Sequence, residues 1–485
     1  MKKSIAKNYL YNLTYQILII IIPLILAPYL ARVLGPENLG IYGYTLSISA
    51  YFILFGTLGL IMYGKREIAY VQEDKKQVSK KFYEIVIMKV IFMTISMIAF
   101  YICFANSNSD YSLYYKILLI ELFASMIDIS WFFEGLELFK KTILRNIIVK
   151  LITVISIFAF VRTNQHLNIY IIIYAVSTLL GNLSLWLGLP KHINKINLKE
   201  INLLKHIKPT IALFIPQIAI QLYTVVDRTM IGLMMPNKAE VGFYDQSQKL
   251  IAVLLTIVTA LGSVMLPRVS NDFAKGNYDS IKNYLNKSFR FVYLLALPFI
   301  FGIIAVSKYF IPLYLGNDYA SVITLISILS LIILFIGMSN VIGIQYLLPT
   351  KKQKQFTISV FSGAIVNLIF NLILIPIMGT VGACVATVLA EASVLLTQMY
   401  SVRDTFKIFD VIKNIKNYIL ASVIMYLVIE IINKCIILDL KHIYICAIDV
   451  LIGIVVYSAI LLALKDKLVI YIIEKVFKRK IEKGN

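Results

Sequence analysis

The chain has 485 residues, of which 59% are hydrophobic, and its mean hydropathy is +0.82. Apolar runs of about 20 residues follow one another with short breaks, and a run of that length crosses the ~30 Å hydrocarbon core as a helix. A water-soluble fold would need far more polar surface, and barrel strands would alternate over segments of ~10 residues. The composition therefore predicts an all-α polytopic membrane protein.

Fourteen membrane-spanning helices are predicted in chain order. They cover residues 9–34, 39–64, 82–105, 113–138, 144–162, 169–189, 209–235, 246–267, 289–312, 321–348, 357–377, 380–402, 417–437 and 443–464. Of the 47 Lys and Arg residues, 37 lie in the N-terminus, alternate connections and the C-terminal tail. This asymmetry follows the positive-inside rule and predicts that both termini are cytoplasmic. The net charge of +21 is explained by this distribution, so no nucleic-acid partner is expected.

A repeated hairpin relates the two halves of the sequence. The segment "LGPENLGIYGYTLSI" joins spans one and two, and "MMPNKAEVGFYDQSQKL" joins spans seven and eight. Gly40 and Tyr42 match Gly242 and Tyr244 at an offset of 202 residues. Because six helices separate the copies, both halves run in the same direction, as in transporters with parallel repeats around a central cavity.

The repeat predicts two six-helix bundles related by pseudo-two-fold symmetry, followed by two further helices. The expected domains are residues 1–208, residues 209–416, and residues 417–485 with helices thirteen and fourteen and a basic cytoplasmic tail. Each bundle begins with a span that contains proline, namely Pro23 and Pro28 in span one and Pro216 in span seven. Proline removes a helical hydrogen bond, so these positions suit a bending gate, and plain packing kinks explain them equally well.

Charged residues within the spans are the candidates for a binding site. Arg228 lies two-thirds through span seven beside Asp227, and an ionised side chain at this depth must be paired or face water. Adjacent residues point about 100° apart on a helix and cannot simply neutralise each other. Arg32 lies near the outer end of span one and Lys249 in the first turn of span eight. We expect these three cations to line the central cavity and to bind phosphate or pyrophosphate, with snorkelling or interfacial anchoring as the alternative for Arg32 and Lys249.

Four acidic residues are candidates for binding a coupling ion, a proton or Na⁺. Glu121 and Asp128 are seven residues apart and share one face of span four. Glu391 is a lone acid in "VATVLAEASVLL" of span twelve, and Asp227 completes the set. Structural pairing with a buried cation such as Lys89 is the alternative.

Other polar residues are expected to have structural roles. Glu134 and Glu137 lie near the cytoplasmic end of span four and are expected to pair with neighbours such as Lys140, Lys141 and Arg145. The aromatic residues, among them 31 Tyr and 27 Phe, are expected mostly at lipid-facing or interfacial positions. The four cysteines lie in or beside apolar runs without metal-ligand spacing, and no catalytic motif occurs, so neither a metal cofactor nor an enzyme activity is predicted.

Three stretches of the sequence resemble a known family. The N-terminal "NYLYNLTYQILIIIIPLILAPYLARVLGPENLGIYGYTLSI", the segment "DISWFFEGLELFKKTILRN" and the segment "VVDRTMIGLMMPNKAEVGFYDQSQKL" are similar to those of Wzx-type bacterial polysaccharide flippases. These flippases form the polysaccharide-transport branch of the multidrug/oligosaccharidyl-lipid/polysaccharide exporter superfamily. The similar segments lie in both halves and are typical of the family, but not of one sugar.

The resemblance implies a function. It suggests that the chain moves undecaprenyl-pyrophosphate-linked oligosaccharide across the bacterial plasma membrane by ion-coupled alternating access, with Arg32, Arg228 and Lys249 holding the cargo. Membrane lipids, a polysaccharide polymerase and glycosyltransferases are the implied partners. Capsule, O-antigen and teichoic acid units all remain open as cargo. Two alternatives also remain, a multidrug exporter of the same superfamily and a membrane scaffold for polysaccharide assembly that transports nothing.

Overall fold

The computed structural model describes residues 2–404, 415–435, 441–466 and 468–470, and every regular element in this part is helical. The predicted basic tail after residue 470 lies outside the described residues. The helices are α1 (Lys2–Thr57), α2 (Leu60–Tyr70), α3 (Lys75–Phe100), α4 (Ser112–Met126), α5 (Ser130–Gly135), α6 (Phe139–Phe160), α7 (Leu167–Gly188), α8 (Leu204–Met234), α9 (Ala239–Ala274), α10 (Tyr278–Tyr314), α11 (Ser321–Leu329), α12 (Leu331–Ile342), α13 (Gln353–Met378), α14 (Thr380–Ser401), α15 (Ile415–Cys435) and α16 (His442–Ala463).

The all-α polytopic prediction is confirmed. Within the described residues, eleven helices are long and apolar enough to cross a membrane. Each of the fourteen predicted spans coincides with helix: α1 carries span one and much of span two, while α4 with α5 and α11 with α12 each form one interrupted span. This agreement has a physical basis, because backbone polar groups in lipid must be satisfied within the helix itself.

The first long helix is divided at Gly35. Gly35 has φ 75° and ψ 171°, whereas the helix continues through Pro23 and Pro28. Glycine has no Cβ and adopts this positive φ without the steric penalty of other residues. The main-chain break between spans one and two is therefore set by glycine, three residues after Arg32.

The chain forms two compact units, Met1–Gly242 and Phe243–Asn485. In the first unit α8 packs against α1 and α2, and in the second α15 and α16 pack on α10. The domains predicted from the repeat have boundaries after residues 208 and 416, which differ from the boundary of these compact units, and that division stays a prediction.

An aromatic cluster forms part of the core of the first unit. Trp131, Phe132 and Phe133 are fully buried on the short helix α5, and Phe82 of α3 packs against them with ring centroids 4.8 Å from Phe132. Gly64 of α2 lies over the Trp131 ring, where a Cβ would come within 2.9 Å of Cδ2. These rings are core residues, unlike the lipid-facing or interfacial positions expected for most aromatic residues.

The second unit is held by polar contacts as well as apolar packing. Tyr457 of α16 donates a hydrogen bond from its hydroxyl to the carbonyl of Leu294 in α10, at 3.1 Å. Lys308 of α10 forms a 3.1 Å ion pair with Glu430 of α15. These contacts attach the two C-terminal helices to α10.

Candidate functional site

The three predicted cargo-binding cations lie on three different helices. Arg32 is exposed on α1, and Arg228 is half-buried on α8. Lys249 is exposed on α9 and forms a 2.6 Å ion pair with Asp245, one helical turn earlier. Because α9 begins at Ala239, Lys249 lies about three turns into the helix, and its predicted position in the first turn is wrong.

The segment of α8 that carries Asp227 and Arg228 is tied to α1. Asp227 is 4% exposed. Two residues later on α8, the Thr229 hydroxyl lies 3.1 Å from the Tyr51 hydroxyl and donates a hydrogen bond to the Ser47 hydroxyl at 2.9 Å. These side-chain contacts fix the register of α8 against α1, and so fix the position of the buried acid.

The two copies of the repeated hairpin contact each other through glycine. A Cβ added at Gly40 would overlap the carbonyl oxygen of Lys238, and one added at Gly242 would overlap the carbonyl oxygen of Pro36. The added Cβ of Gly40 would lie 3.1 Å from the nitrogen of Gly242, and the converse distance is 3.2 Å. Gly40 and Gly242 are 202 residues apart, and so are Pro36 and Lys238. The contact is therefore reciprocal, because each glycine approaches the main chain of the other copy at the equivalent position.

Lys238 reinforces this contact from the connection between α8 and α9. Its ammonium donates to the carbonyl of Gly232 at 2.6 Å and to that of Met235 at 3.2 Å. A cation at this position satisfies carbonyls at the C-terminus of a helix and interacts favourably with its dipole. The ammonium also lies 5.3 Å from the Tyr44 ring centroid and 5.9 Å from that of Tyr111, and burial lowers the pKa of Lys238.

Asp128 of the opening motif has a structural role in the helix break between α4 and α5. Its carboxylate accepts from the Ser130 nitrogen at 2.9 Å and from the Ser130 hydroxyl at 3.0 Å. Its carbonyl accepts from the ammonium of Lys89, which is 1% exposed, at 2.7 Å. Glu121, two turns earlier on α4, is half-buried. Of the two acids, Asp128 is thus already engaged by hydrogen bonds to Ser130 at the start of α5.

Glu134 has a different partner from those predicted. Its carboxylate forms a 3.0 Å ion pair with Lys65 of α2. Among the predicted partners, the side chain of Lys140 lies outside the described residues. The pair joins α5 to α2 beside the contact between Gly64 and Trp131. The prediction of pairing with nearby residues is wrong because α5 is only six residues long and packs directly on α2.

Glu391 is accompanied by polar residues that the sequence analysis missed. It is 6% exposed on α14, where Thr387 lies one turn earlier on the same face. Thr387 shares a 3.0 Å hydrogen bond with the hydroxyl of Tyr244. On the neighbouring helix α13, Asn371 donates to Asn367 at 3.1 Å, and both are buried. The sequence did contain a signal for this polar group, because Asn367 and Asn371 lie four residues apart in the predicted span 357–377.

A second missed group is a buried hydrogen-bond network joining α2, α3 and α8. Glu84 is fully buried and accepts from the Lys205 ammonium at 2.8 Å and from the Asn202 nitrogen at 3.0 Å. His206, also fully buried, contacts Glu84 through Nε2 at 2.9 Å and the Tyr63 hydroxyl through Nδ1 at 2.6 Å. A neutral ring that donates from Nε2 and accepts at Nδ1 satisfies both partners. Burial lowers the pKa of His206, more than the hydrogen bond to Glu84 raises it.

The sequence of the chain matches two protein-family models and several known transport proteins. The family model described as polysaccharide biosynthesis protein matches residues 5–273, more than half of the chain, and the model described as MatE matches residues 212–373. A relative in Escherichia coli (strain K12), named as an O-antigen transporter, is 24% identical over 83% of this chain and 98% of its own length. A relative in Haloferax volcanii, named as a glycan biosynthesis flippase, is 30% identical over 35% of this chain and 36% of its own length.

The fold is also found among solved structures. The chain is similar to the lipid II flippase MurJ in an inward closed conformation, with a TM-score of 0.76. The match covers 95% of this chain and 100% of the other, at 20% sequence identity.

Proposed function

Because the chain belongs to the polysaccharide biosynthesis protein family, we propose that it is a flippase for lipid-linked oligosaccharides. It moves undecaprenyl-pyrophosphate-linked repeat units from the inner to the outer leaflet of the bacterial plasma membrane. The relatives named as an O-antigen transporter and a glycan flippase support this class of cargo. The flippase resembles a carrier, and no chemical step on the cargo is assigned to it.

The observation that carries the proposal is the reciprocal contact of the repeated hairpins at Gly40 and Gly242. A duplicated carrier that works by alternating access needs a contact that can close one side of the membrane and reopen. Main-chain contact between equivalent glycines suits this need, because it requires close approach without interlocking side chains. Both hairpins lie on the outer side in the predicted topology, so the contact is proposed to close that side.

We further propose roles for the charged residues. Arg32, Arg228 and Lys249 contact the pyrophosphate and sugars of the cargo, and Asp245 releases Lys249 when the phosphate arrives. We favour Glu391 and Asp227 among the four ion-coupling candidates, because both are buried on long helices. Binding of a proton or Na⁺ there favours one of the two access states.

The proposal is tested in a strain that lacks the gene. Complementation with the Arg228→Ala variant is expected to leave surface polysaccharide low while polyprenyl-linked units accumulate, as measured by mass spectrometry of lipid extracts. Arg162→Ala, which removes an exposed arginine, serves as the control and is expected to restore both readouts. Membrane insertion of both variants is checked by detergent extraction and gel filtration. The proposal would be refuted if Arg228→Ala restored a normal level of surface polysaccharide. It would also be refuted if the strain that lacks the gene did not accumulate polyprenyl-linked units.

A multidrug exporter is the second candidate, and the MatE match over residues 212–373 favours it. This candidate predicts that deletion raises the cell content of cationic dyes while the lipid-linked units stay at their normal level. The same deletion strain therefore separates the two functions.

A further inference from the structure

A groove lies on the first unit between α6 and α7. Its volume is ≈ 490 Å³, within the range of roughly 300–1,000 Å³ that small-molecule sites occupy. The groove is lined by Phe133, Lys141, Leu144, Arg145, Ile148, Val149, Ile152, Ser177, Leu180, Gly181, Ser184, Leu185 and Gly188. Most of these residues are apolar, and the cations among them lie together at one end.

The apolar part of the groove is open at the surface of the protein, within predicted spans five and six. Leu144, Ile148, Ile152 and Leu180 are 48–59% exposed and form its rim. Gly181 forms part of the floor, where an added Cβ would come 2.7 Å from Val149 Cγ2. The floor therefore exists because glycine leaves room beside α6.

The charged end of the groove lies where α6 begins and α7 ends. In the described part of the chain, the Lys141 ammonium contacts His192 Nε2 at 2.9 Å and lies 5.1 Å from the Phe133 ring centroid. Neither partner is an anion, because the Phe133 ring is uncharged and an imidazole is either neutral or cationic. Burial, together with the charges of Lys141, Lys75 and Lys191, lowers the pKa of His192 and favours its neutral form. Among the described residues Lys141 has no carboxylate contact, so positive charge accumulates at this end of the groove.

A second cation is held in place at the same end. The guanidinium of Arg145 donates to the Asn182 side-chain oxygen at 2.6 Å, and Asn182 donates in turn to the carbonyl of Ala124 at 2.8 Å. This chain of hydrogen bonds orients Arg145 within the groove lining, one turn of α6 beyond Lys141.

The length of the groove matches one leaflet of a bilayer. From Lys141 to Ile152, α6 rises ~16 Å, and half of the hydrocarbon core is ~15 Å thick. The end at Lys141 is cytoplasmic in the predicted topology. A ligand that fits has one anionic headgroup at the membrane surface and one alkyl chain that ends near the bilayer midplane.

We propose that this groove binds an anionic diacyl phospholipid of the cytoplasmic leaflet, with its phosphate at Lys141 and Arg145 and one acyl chain between α6 and α7. The lining shares no residue with the proposed cargo-binding and ion-coupling positions, so the site adds a lipid ligand to the protein. Charge complementarity selects an anionic over a zwitterionic headgroup. The match to one leaflet favours an acyl chain over a polyprenyl tail, which is longer than the groove.

The test is native mass spectrometry of the full-length purified protein, titrated with phosphatidylglycerol and phosphatidylcholine of the same acyl chains. We expect tighter binding of phosphatidylglycerol, weakened about five-fold by Lys141→Gln, the effect of one lysine at an anionic lipid surface. Binding of phosphatidylcholine is expected to be unchanged by this substitution. The matched control is Lys282→Gln, which removes an exposed lysine of α10 in the other unit and is expected to bind as the wild type does.

A second variant tests the apolar part of the site with every charge in place. Ser184→Phe puts a ring into the groove from an exposed position and is expected to lower phosphatidylglycerol affinity by at least as much as Lys141→Gln. Equal affinities of Lys141→Gln and Lys282→Gln for phosphatidylglycerol would overturn the proposal. So would equal binding of the two lipids by the wild type, or a bound lipid that polyprenyl phosphate displaces and phosphatidylglycerol does not.

Discussion

Replacing Gly40 by alanine places a methyl group where the carbonyl oxygen of Lys238 lies. A flexible side chain could rotate away from such a group, but a main-chain carbonyl cannot. The hairpin that follows α8 must therefore move away from α1, and the equivalent substitution Gly242→Ala has the same effect through Pro36.

The size of the effect follows from the cost of overpacking. Inserting a methyl group into a well-packed contact costs about 1–3 kcal/mol, and the rigid neighbour argues for the upper part of this range. For a unit of 242 residues, each kcal/mol lowers the melting temperature by about 2–4 °C. If the hairpins meet in only one of two access states, the same free energy lowers the ratio of that state to the other about 5- to 150-fold.

The assay is thermal unfolding of the purified protein in detergent, followed by gel filtration with fluorescence detection. Gly302→Ala is the matched control, because no heavy atom lies within 4 Å of its added methyl group. The double variant of Gly40 and Gly242 is expected to lose less stability than the sum of the single variants, since either substitution already separates the hairpins. Equal melting temperatures for Gly40→Ala and Gly302→Ala, or strictly additive losses in the double variant, would refute the reasoning.

Three further predictions concern buried residues of the first unit. Burial holds the pKa of His206 in the folded protein below its usual value of 6.5. On acidification the unfolded chain therefore takes up a proton before the folded protein does. The free energy of unfolding has its full value above about pH 6.5 and declines as the pH falls below it. His206→Asn is expected to make melting less sensitive between about pH 7.5 and 5.5 than in the wild type. Gly64→Ala is expected to destabilise by about 1–3 kcal/mol, because its methyl group meets the fully buried Trp131 ring. Lys89→Ala is expected to cost about 2–5 kcal/mol, since it leaves a cavity and removes the donor to the Asp128 carbonyl.

Each of these predictions has its own contrary result. Identical loss of stability on acidification in the wild type and in His206→Asn would show that another group titrates. Gly64→Ala is compared with Gly302→Ala, and equal melting temperatures would contradict the packing argument. Lys89→Ala is compared with Lys76→Ala, an exposed lysine of the same helix, and the two should differ clearly in melting temperature.

The sequence alone determined the fold class, the fourteen helical segments and the repeat of the hairpins. These are local properties: an apolar run of ~20 residues must close its own hydrogen bonds in lipid, so its length predicts a helix. The ion pair between Asp245 and Lys249 was not predicted, although residues four apart face each other on a helix. The break at Gly35 falls in the interval predicted between spans one and two, whereas Pro23 and Pro28, where kinks were predicted, lie within the helix.

Only the tertiary structure decided which residues meet across helices. Glu84 and His206 are 122 residues apart, and Lys65 and Glu134 are 69 residues apart. In a water-soluble protein, hydrophobic periodicity marks the face of a helix that is buried. In a membrane helix the lipid-facing and protein-facing sides are similarly apolar, so the pattern carries little information about neighbours. The packing of small residues and the pairing of a few polar groups then select the contacts, and these emerge only when the helices assemble.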